Sequence, residues 1–390
     1  MNDGSTYRGS FIGQKIGQIW HIALKVGKNL IGMPNQLRLS IRQPDHPAPS
    51  QEAIEWAIRL FVGREPHFGE VAAHQGHANL DSLRRAFAET AEFRAFLLSF
   101  SPWTVPVFLL EPPANSSIPM LLRPPTLAEP TSQLCTEAQF REDLHTEFCT
   151  ALDIDPTHMH RKIWEFAWIM AVLRKADLLR PDKRGIGFGV GNEPFPAFLA
   201  KLGIEVMATD APSAIIAGQG WDTTGQHASS REQLWRPNIV DRESFEKYVS
   251  FTFADMNHIP DSFCGFDFCW SACSFEHLGS IEQGLDFVRN SLKTLKPGGL
   301  AIHTTEFNLT SNQDTFEHPS LSLFRKQDIE RLYERLIQEG HQPWPLNLFP
   351  GNGKIDAFVD LPPFSLPHLK LNVSKYVTTS IGLVVQKSSG

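Results

Sequence analysis

The spacing of hydrophobic positions changes along the chain, and each pattern predicts a different kind of structure. Over residues 52–61 and 83–97, apolar side chains recur every three or four residues, which is typical of amphipathic helices. From about residue 184 onward, short apolar runs alternate with helical segments. Strands interleaved with helices indicate a mostly parallel sheet that helices cover on both faces. We therefore expect a small helical module followed by a larger α/β domain.

The second half of the chain gives the order of the predicted strands and helices. Buried strands are predicted at 184–189, 203–210, 266–271 and 299–305, and helices at 195–202 and 281–295. A helix over 161–179 is apolar around most of its circumference, so we expect it to pack against something larger. The predicted fold is a doubly wound, Rossmann-like α/β sheet, whose ligands bind at the carboxyl ends of the strands.

The chain divides into five predicted segments. Eight prolines between residues 101 and 133 remove backbone donors and disfavour helix, so this stretch is expected to be a linker or an extended strap. Helical spacing resumes after it and leads into the α/β domain. The expected segments are a basic appendage at 1–50, the helical module at 51–100, the proline-rich linker at 101–133, a helical lead-in at 134–181 and the α/β domain at 182–390.

Composition and charge exclude several classes of protein. The 390 residues include 42% hydrophobic and 20% charged side chains, which is ordinary for a globular protein. The formal charge of −7 argues against a broad phosphate-binding surface, so no nucleic acid partner is expected. Five cysteines without a CxxC pair argue against a disulfide framework or a zinc ribbon. No run reaches about 18 apolar residues and the start does not resemble a leader, so the cytoplasm is the expected compartment.

The first 42 residues differ from the rest of the chain in charge. They carry six basic side chains against one acid, Asp3, and their apolar positions approximate a helical stripe. A weak contact with a membrane surface is one interpretation, which would make the protein membrane-peripheral. Four glycines interrupt the stripe and favour the other interpretation, a flexible terminal appendage.

The sharpest chemical signal is the glycine-rich segment 187–194, which follows a predicted strand and opens a helix. Gly187, Gly189 and Gly191 permit a tight turn and let a ligand approach the backbone. A dinucleotide site would place a third glycine where Asn192 stands, so the spacing favours a cofactor without phosphates. A nicotinamide-dependent oxidoreductase is therefore disfavoured.

Two acidic residues follow the next predicted strands. Asp210 comes nineteen residues after Gly191, at a strand end where it is placed to accept hydrogen bonds from the two hydroxyls of a ribose. Asp255 and Met256 follow a short alternating run, where the acid is positioned to reach an adenine amine and the methionine to lie against the ring. A helix cap at Asp210 and an ordinary turn at Asp255 are the alternatives.

In this order and spacing, the motifs resemble those of the class I S-adenosylmethionine-dependent methyltransferases, over roughly residues 160–390. The matching segments are 187–191, 206–210, 254–256, 266–278 and 295–305. The resemblance implies a seven-stranded, mostly parallel sheet, S-adenosylmethionine as the cofactor and methyl transfer as the reaction. One departure is Gly185, which stands where the family usually has an acid, two residues before the first glycine of the turn. This departure leaves open how the cofactor amine is held.

The resemblance also implies roles for the residues of these motifs. The cofactor-binding positions are then Gly187, Gly189 and Gly191 beneath the methionyl part, Asp210 at the ribose, Asp255 and Met256 around the adenine, and Ser271 at the start of the active-site loop. Because methyl transfer from a sulfonium is an in-line displacement, alignment of the acceptor supplies most of the catalysis.

A hydroxyl acceptor must also lose its proton. His277 and His303 are the candidate general bases, and Glu306 is a third catalytic candidate that orients a base or binds a sugar hydroxyl. A structural turn is the alternative at His277. Together with Glu276 these are all metal-ligating residue types, but nothing fixes a ligand spacing and no metal is predicted. A proline-broken insert at 353–371 forms either a wall of the acceptor site or a surface loop.

A second resemblance concerns residues 51–98. A GlyArgGluPro turn at 63–66 and a closing motif at 92–97 are similar to those of short helical modules that accompany bacterial glycan-modifying enzymes. The resemblance implies a sugar hydroxyl of a glycan or glycan precursor as the acceptor, and glycan-assembly enzymes as partners. A generic helical hairpin is the alternative for the module. For the function, the alternatives are a methyltransferase acting on a small-molecule or lipid-linked acceptor, and a non-catalytic scaffold that retains the fold.

Overall fold

The computed structural model describes residues 48–62, 64–93, 103–213, 215, 227–362 and 364–389. The basic appendage predicted at 1–50 lies almost entirely outside the described residues, as do positions 94–97 of the closing motif. The described helices are α1 (Gln51–Val62), α2 (Glu70–Ala73), α3 (Leu80–Ala88), α4 (Asp143–Ala151), α5 (Arg161–Lys175), α6 (Phe195–Lys201), α7 (Arg242–Tyr248), α8 (Ile281–Ser291) and α9 (Lys326–Gln338). The described strands are β1 (Met120–Leu121), β2 (Ser132–Leu134), β3 (Arg184–Gly187), β4 (Glu205–Asp210), β5 (Val249–Phe253), β6 (Phe266–Ala272), β7 (Leu295–Asn308), β8 (Glu317–His318), β9 (Leu321–Ser322), β10 (Gln342–Pro343), β11 (Leu346–Asn347), β12 (Leu371–Val373) and β13 (Tyr376–Gln386). None of these helices is long and apolar enough to cross a membrane.

One twisted sheet organises most of the chain. Its strands lie in the order β1-β11-β2-β13-β7-β6-β3-β4-β5, and β10 and β12 also pair with β13. The five strands from β7 to β5 are mutually parallel, whereas the long β13 runs antiparallel to β7. From the β5 edge inward, the parallel strands lie in the order β5, β4, β3, β6, β7. They are therefore the third, second, first, fourth and fifth of these strands in the chain, which is the order of a doubly wound sheet. The predicted mixed α/β, Rossmann-like architecture is therefore confirmed.

The number of strands differs from the prediction. The sheet contains eleven strands among the described residues instead of the seven expected. Part of the difference comes from the proline-rich segment, which supplies β1 and β2 rather than serving only as a linker. It also buries Leu109, Ile118 and Leu127 against the α/β domain. Prolines disfavour helix but do not exclude short strands between them, so the pattern predicted an extended chain without its pairing.

Two hydrophobic cores cover the two faces of the sheet. Helices α5, α6 and α7 pack on one face, and α8 and α9 pack on the other. Trp168 of α5 lies against Gly382 of β13, where an added Cβ would stand 2.5 Å from the indole ring. The glycine thus lets the apolar helix predicted over 161–179 approach the sheet closely. This contact brings the first turn of α5 to the strands that form the candidate site.

The helical module has a small core of its own, made of Ile54, Ala57, Ile58, Val62, Leu83 and Phe87. The helical spacing over 83–97 does not correspond to one continuous helix, because α3 ends at Ala88. Thr90 Oγ1 donates to the Phe87 carbonyl at 2.8 Å and accepts from the Phe93 N–H at 3.1 Å, which starts a separate turn. Arg64 of the GlyArgGluPro turn binds Glu92, so the two recognised motifs touch each other.

Candidate functional site

The strand order reverses between β3 and β6, and the crevice at their carboxyl ends is where sheets of this kind bind ligands. The glycine-rich turn lies there. Gly189 and Gly191 have φ angles of 58° and 51°, which favour glycine. Ser274 Oγ donates to the Gly189 carbonyl at 3.2 Å, and a Cβ on Gly189 would stand 2.8 Å from this Ser274 Oγ. Packing also requires a glycine at position 187, since a Cβ on Gly187 would lie 2.4 Å from the Trp270 ring.

Asp210 lies at the end of β4 beside this turn, but its carboxylate is already bound. Its Oδ2 accepts from the backbone N–H of Gly191 at 3.0 Å and of Ala228 at 2.8 Å. Its Oδ1 accepts from the Ala211 N–H at 2.7 Å and lies 3.0 Å from His227 Nδ1. Four donors fill the acceptor positions of a carboxylate. Asp210 therefore fastens the glycine turn to β4, and a ribose would have to replace one of these contacts.

Asp255 and Met256 occupy the turn after β5. Asp255 accepts from the Asn257 N–H at 2.9 Å and lies 2.7 Å from His258 Nδ1, so its carboxylate is engaged within an ordinary Asx turn. Met256 is buried, and a Cβ on Gly189 would lie 3.4 Å from its sulfur. Of the two residues predicted to frame an adenine, Met256 borders the glycine turn and Asp255 caps its own turn.

His303 and Ser271 lie in the core and do not face the crevice. His303 Nδ1 is 2.8 Å from Ser271 Oγ, and its Nε2 is 3.0 Å from Ser291 Oγ. The rings of Phe275 and Phe287 pack around the imidazole. Burial lowers the pKa of His303 to about 3, so it remains neutral at physiological pH. The predictions of His303 as a general base and of Ser271 as a cofactor-binding residue are corrected, since both side chains are fully enclosed and contact each other.

His277 follows β6 and stays near the crevice. Its Nδ1 lies 2.6 Å from the Ser320 carbonyl, which accepts and therefore fixes the ring proton on Nδ1. Its Nε2 is then an acceptor and lies 4.0 Å from Glu276 Oε1. Burial lowers the pKa of His277 to about 4, so the ring is neutral. Glu276 is itself buried, and its Oε2 accepts from Thr305 Oγ1 at 3.0 Å.

Charged side chains meet at the carboxyl ends of β6 and β7. We name them the charge cluster, which consists of Arg161, Lys162 and Glu165 from α5, Glu276 after β6, and Glu306 from β7. Arg161 contacts Glu306 and donates to Ser380 Oγ at 2.9 Å. Glu165 accepts from Ser380 Oγ at 2.6 Å and from Cys273 Sγ at 2.9 Å. Lys162 Nζ lies 3.2 Å from Glu165 Oε2 and donates to the Ala272 carbonyl at 2.6 Å.

The charge cluster contains three carboxyl groups but only two cations. Although burial opposes its charge, Lys162 and Arg161 lower the pKa of Glu165 to about 2. Burial raises the pKa of both Glu276 and Glu306 to about 7, and neighbouring carboxylates add to the effect. Glu165 is therefore a permanent anion, whereas Glu276 and Glu306 exchange protons near neutral pH.

Several buried polar atoms in and beside the charge cluster have no hydrogen-bond partner within the described ranges, namely Arg161 Nε, Glu306 Oε2 and His160 Nε2. Buried polar atoms are normally paired, so their presence here points to a ligand or ordered water. The insert predicted as an acceptor wall packs beside them. His368 stacks on His160 with 4.5 Å between ring centroids, and its Nδ1 lies 2.6 Å from Asp360 Oδ2.

The sequence pattern did not predict the part of the charge cluster that comes from α5. A signal is nevertheless present in the chain, because Arg161, Lys162 and Glu165 stand at the start of a helix that is otherwise apolar all round. Charges on a fully buried helix require buried partners. In the part of the chain that the structure describes, no three His, Cys, Asp or Glu side chains are arranged to hold a metal ion.

Comparison with known proteins gives distant structural matches only. No family model matches the chain, and no curated protein is similar to it. A protein from Galdieria sulphuraria that carries the name of a sarcosine dimethylglycine methyltransferase is 12% identical over 64% of this chain and 99% of its own, with a TM-score of 0.36. Magnesium protoporphyrin IX methyltransferase from Synechocystis PCC 6803, with bound SAH, is 12% identical over 56% of this chain and 80% of its own, with a TM-score of 0.34. A SAM dependent methyltransferase from Aquifex aeolicus is 14% identical over 55% of this chain and 87% of its own, with a TM-score of 0.30. These values assign neither a family nor an activity to this chain.

Proposed function

We propose that the protein is an S-adenosylmethionine-dependent methyltransferase that methylates a sugar hydroxyl of a glycan or glycan precursor. The observation that carries the proposal is the meeting, at the switch point of the sheet, of the glycine-rich turn with the charge cluster. Ser274 links the two, because its Oγ donates to the Gly189 carbonyl at 3.2 Å and lies 3.3 Å from the Ala272 carbonyl that Lys162 also binds. A methyl donor and an acceptor need such adjacent sites.

The residues at the turn suit S-adenosylmethionine. Gly189 lets Ser274 pack directly against the turn, Met256 offers an apolar contact beside it, and Asp210 fixes the turn to β4. Among the described residues, the contact of Asp210 with His227 is made by a side chain, and a ribose hydroxyl would take its place. When bound, S-adenosylmethionine supplies an electrophilic methyl group whose C–S bond breaks, with its electron pair going to sulfur, as the acceptor oxygen bonds to the methyl carbon.

Glu306 is the residue best suited to take the hydroxyl proton. Arg161 holds its Oε1, while its Oε2 has no partner in the described residues. A carboxyl group whose pKa is about 7 is partly ionised at neutral pH and accepts a proton readily. His277, the other retained candidate, is neutral with an acceptor nitrogen but lies beside the protonatable Glu276. We assign the base role to Glu306 and a positioning role to His277.

The glycan acceptor is supported by the resemblance of the helical module, in which Arg64 joins the two similar motifs through Glu92. We extend the proposal to glycan-assembly enzymes as partners, to a cytoplasmic location, and to a weak membrane-surface contact through the basic residues at the start of the chain. A small-molecule or lipid-linked acceptor is the alternative substrate, and a scaffold without catalysis is the alternative function.

Calorimetry with S-adenosylmethionine tests the cofactor. We expect saturable binding by the parent, weakening of about tenfold or more in Asp210→Asn, and no change in Asp261→Ala, whose side chain is exposed. Because the Asp210 carboxylate holds three backbone N–H groups, circular dichroism must first show that the variant is folded. Absence of binding by the folded parent would leave the scaffold reading.

Mass spectrometry identifies the acceptor. Incubation with a panel of glycans, lipid-linked sugars, proteins and nucleic acids should add one methyl group to a sugar. Methylation confined to proteins or nucleic acids would overturn the glycan proposal. The Glu306→Gln variant should retain cofactor binding, but its rate of methyl transfer should fall by about 100-fold or more.

A further inference from the structure

We propose that the charge cluster binds the amino-acid end of S-adenosylmethionine, with Lys162 at its carboxylate and Glu276 at its ammonium group. The inference rests on the proposed function and concerns the question that Gly185 leaves open. A side chain at that position has no room, because a Cβ on Gly185 would stand 2.4 Å from the Phe268 ring. A carboxylate for the ammonium group must therefore come from another part of the chain.

The geometry places the charge cluster beside the glycine-rich turn. The Ala272 carbonyl accepts from Lys162 Nζ at 2.6 Å and from Ser274 Oγ at 3.3 Å, and the same Ser274 hydroxyl contacts the Gly189 carbonyl. Ser274 thus connects Lys162, through the Ala272 carbonyl, to the glycine-rich turn. Its side chain is 22% exposed, whereas Arg161 and Glu165 are 4% and 0% exposed. Lys162 is therefore the cation of the cluster that a ligand in the crevice can reach.

Glu276 best fits the ammonium because, in the part of the chain that the structure describes, it is the buried carboxyl group of the cluster that has no salt bridge with a lysine or arginine. Glu165 already binds Lys162, Ser380 and Cys273. Glu306 already forms a salt bridge with Arg161 through one of its oxygens. Glu276 is bound through Oε2 to Thr305, and its Oε1 lies 4.0 Å from His277 Nε2. An ammonium group beside Oε1 would add a charge-assisted hydrogen bond and favour the ionised carboxylate.

The charges of the ligand and the cluster are complementary. With every group ionised, the cluster has two positive and three negative side chains, which leaves one negative charge in excess. The amino-acid end of S-adenosylmethionine carries one ammonium and one carboxylate, so each of its charges can meet an opposite charge of the cluster. A buried group of charges is stable only when its charges are paired, and the ammonium supplies a cation for an acid that has none.

Two adenosine thioethers separate this inference from a general loss of binding. S-adenosylhomocysteine has the amino-acid end, and 5′-methylthioadenosine lacks it but keeps the adenosine and the sulfur. Calorimetry would be run with both ligands on the full chain, the parent and the variants Lys162→Met and Glu276→Gln. Lys162→Met keeps the apolar stem of the lysine. Lys175→Met is the matched control, because Lys175 lies at the other end of α5 and pairs with Glu129 at the surface.

We expect Lys162→Met and Glu276→Gln each to weaken S-adenosylhomocysteine binding about tenfold or more, while methylthioadenosine binding stays within about twofold of the parent. Lys175→Met should change neither. Equal weakening of both ligands would indicate a structural role and overturn the inference, as would unchanged binding of S-adenosylhomocysteine. If the folded parent binds neither thioether, the proposed function itself fails, whereas binding of both with equal affinity rejects only the subsite.

Discussion

The carboxyl group of Glu306 links the stability of the protein to pH. Burial raises its pKa to about 7, from an ordinary value of 4.5. Between these values the folded state binds more protons than the unfolded state, so the free energy of unfolding decreases as the pH rises through this window. Glu165 acts in the opposite sense, since its pKa of about 2 gives stability that is lost as the pH falls below about 4.5.

Replacing Glu306 by Gln removes the first of these dependences. We expect the free energy of unfolding of Glu306→Gln, relative to the parent, to rise by up to about 3 kcal/mol between about pH 4.5 and pH 7.5. Urea denaturation at a series of pH values measures the difference. The exposed Glu111 provides the control, because Glu111→Gln should show no such trend. A relative stability of Glu306→Gln that stays level or falls with pH contradicts the assignment.

At the same scale, some site residues were predictable and others were not. The glycine-rich turn and Asp210 are recognisable from their spacing in the sequence, and in the structure the two are in direct contact. Arg161 and Glu165 belong to the site because they contact Glu306 and Ser380, which are 145 and 215 positions away in sequence. No local pattern reports such a contact. His303 fails for the complementary reason, since a polar residue at the end of a strand is equally compatible with a buried hydrogen bond.

Helix α5 is the element on which the site depends, and its distance from the sheet is set by one glycine. A methyl group on Gly382 would stand 2.5 Å from the Trp168 ring and force the helix or the indole to move. We expect Gly382→Ala to reduce the free energy of unfolding by about 1–3 kcal/mol. Chemical denaturation measures the loss.

The control is Gly76→Ala, because a Cβ at Gly76 meets nothing within 4 Å. It should change stability by less than about 1 kcal/mol. Adding Trp168→Phe to Gly382→Ala makes room for the methyl group, so the double variant should lose less than the sum of the two single losses. Strict additivity would mean that the two residues do not constrain each other.

Element prediction succeeded where periodicity and burial agree. The strands β3, β4 and β6 and helices α5 and α8 lie close to their predicted positions, because parallel strands buried on both faces leave long apolar runs. It failed where one side chain decides, as at Thr90, which ends a helix that the apolar spacing continues. It also failed for β2, whose partners β11 and β13 come more than two hundred residues later.

At the scale of the whole molecule, the helical module and the sheet have separate hydrophobic cores. The module encloses six buried apolar side chains, which is few for an independent unit, so its stability is expected to be marginal. The sheet domain has two much larger cores. The division into module and α/β domain is a prediction from the change of hydrophobic period between them. The sequence did not predict that the intervening proline-rich chain joins the sheet.

Separate cores lead to a prediction about unfolding. We expect two thermal transitions, an early one reported by Trp56 of the module, whose side chain is half exposed, and a later one from the sheet. S-adenosylhomocysteine at about 100 times its dissociation constant should stabilise only the sheet, by about 2.7 kcal/mol, because the glycine turn and the charge cluster belong to it. Calorimetry and fluorescence measure both transitions, with Trp56→Phe identifying the first. If the ligand raised both midpoints together, the module and the sheet would be one cooperative unit, and the module would be part of the ligand-binding body.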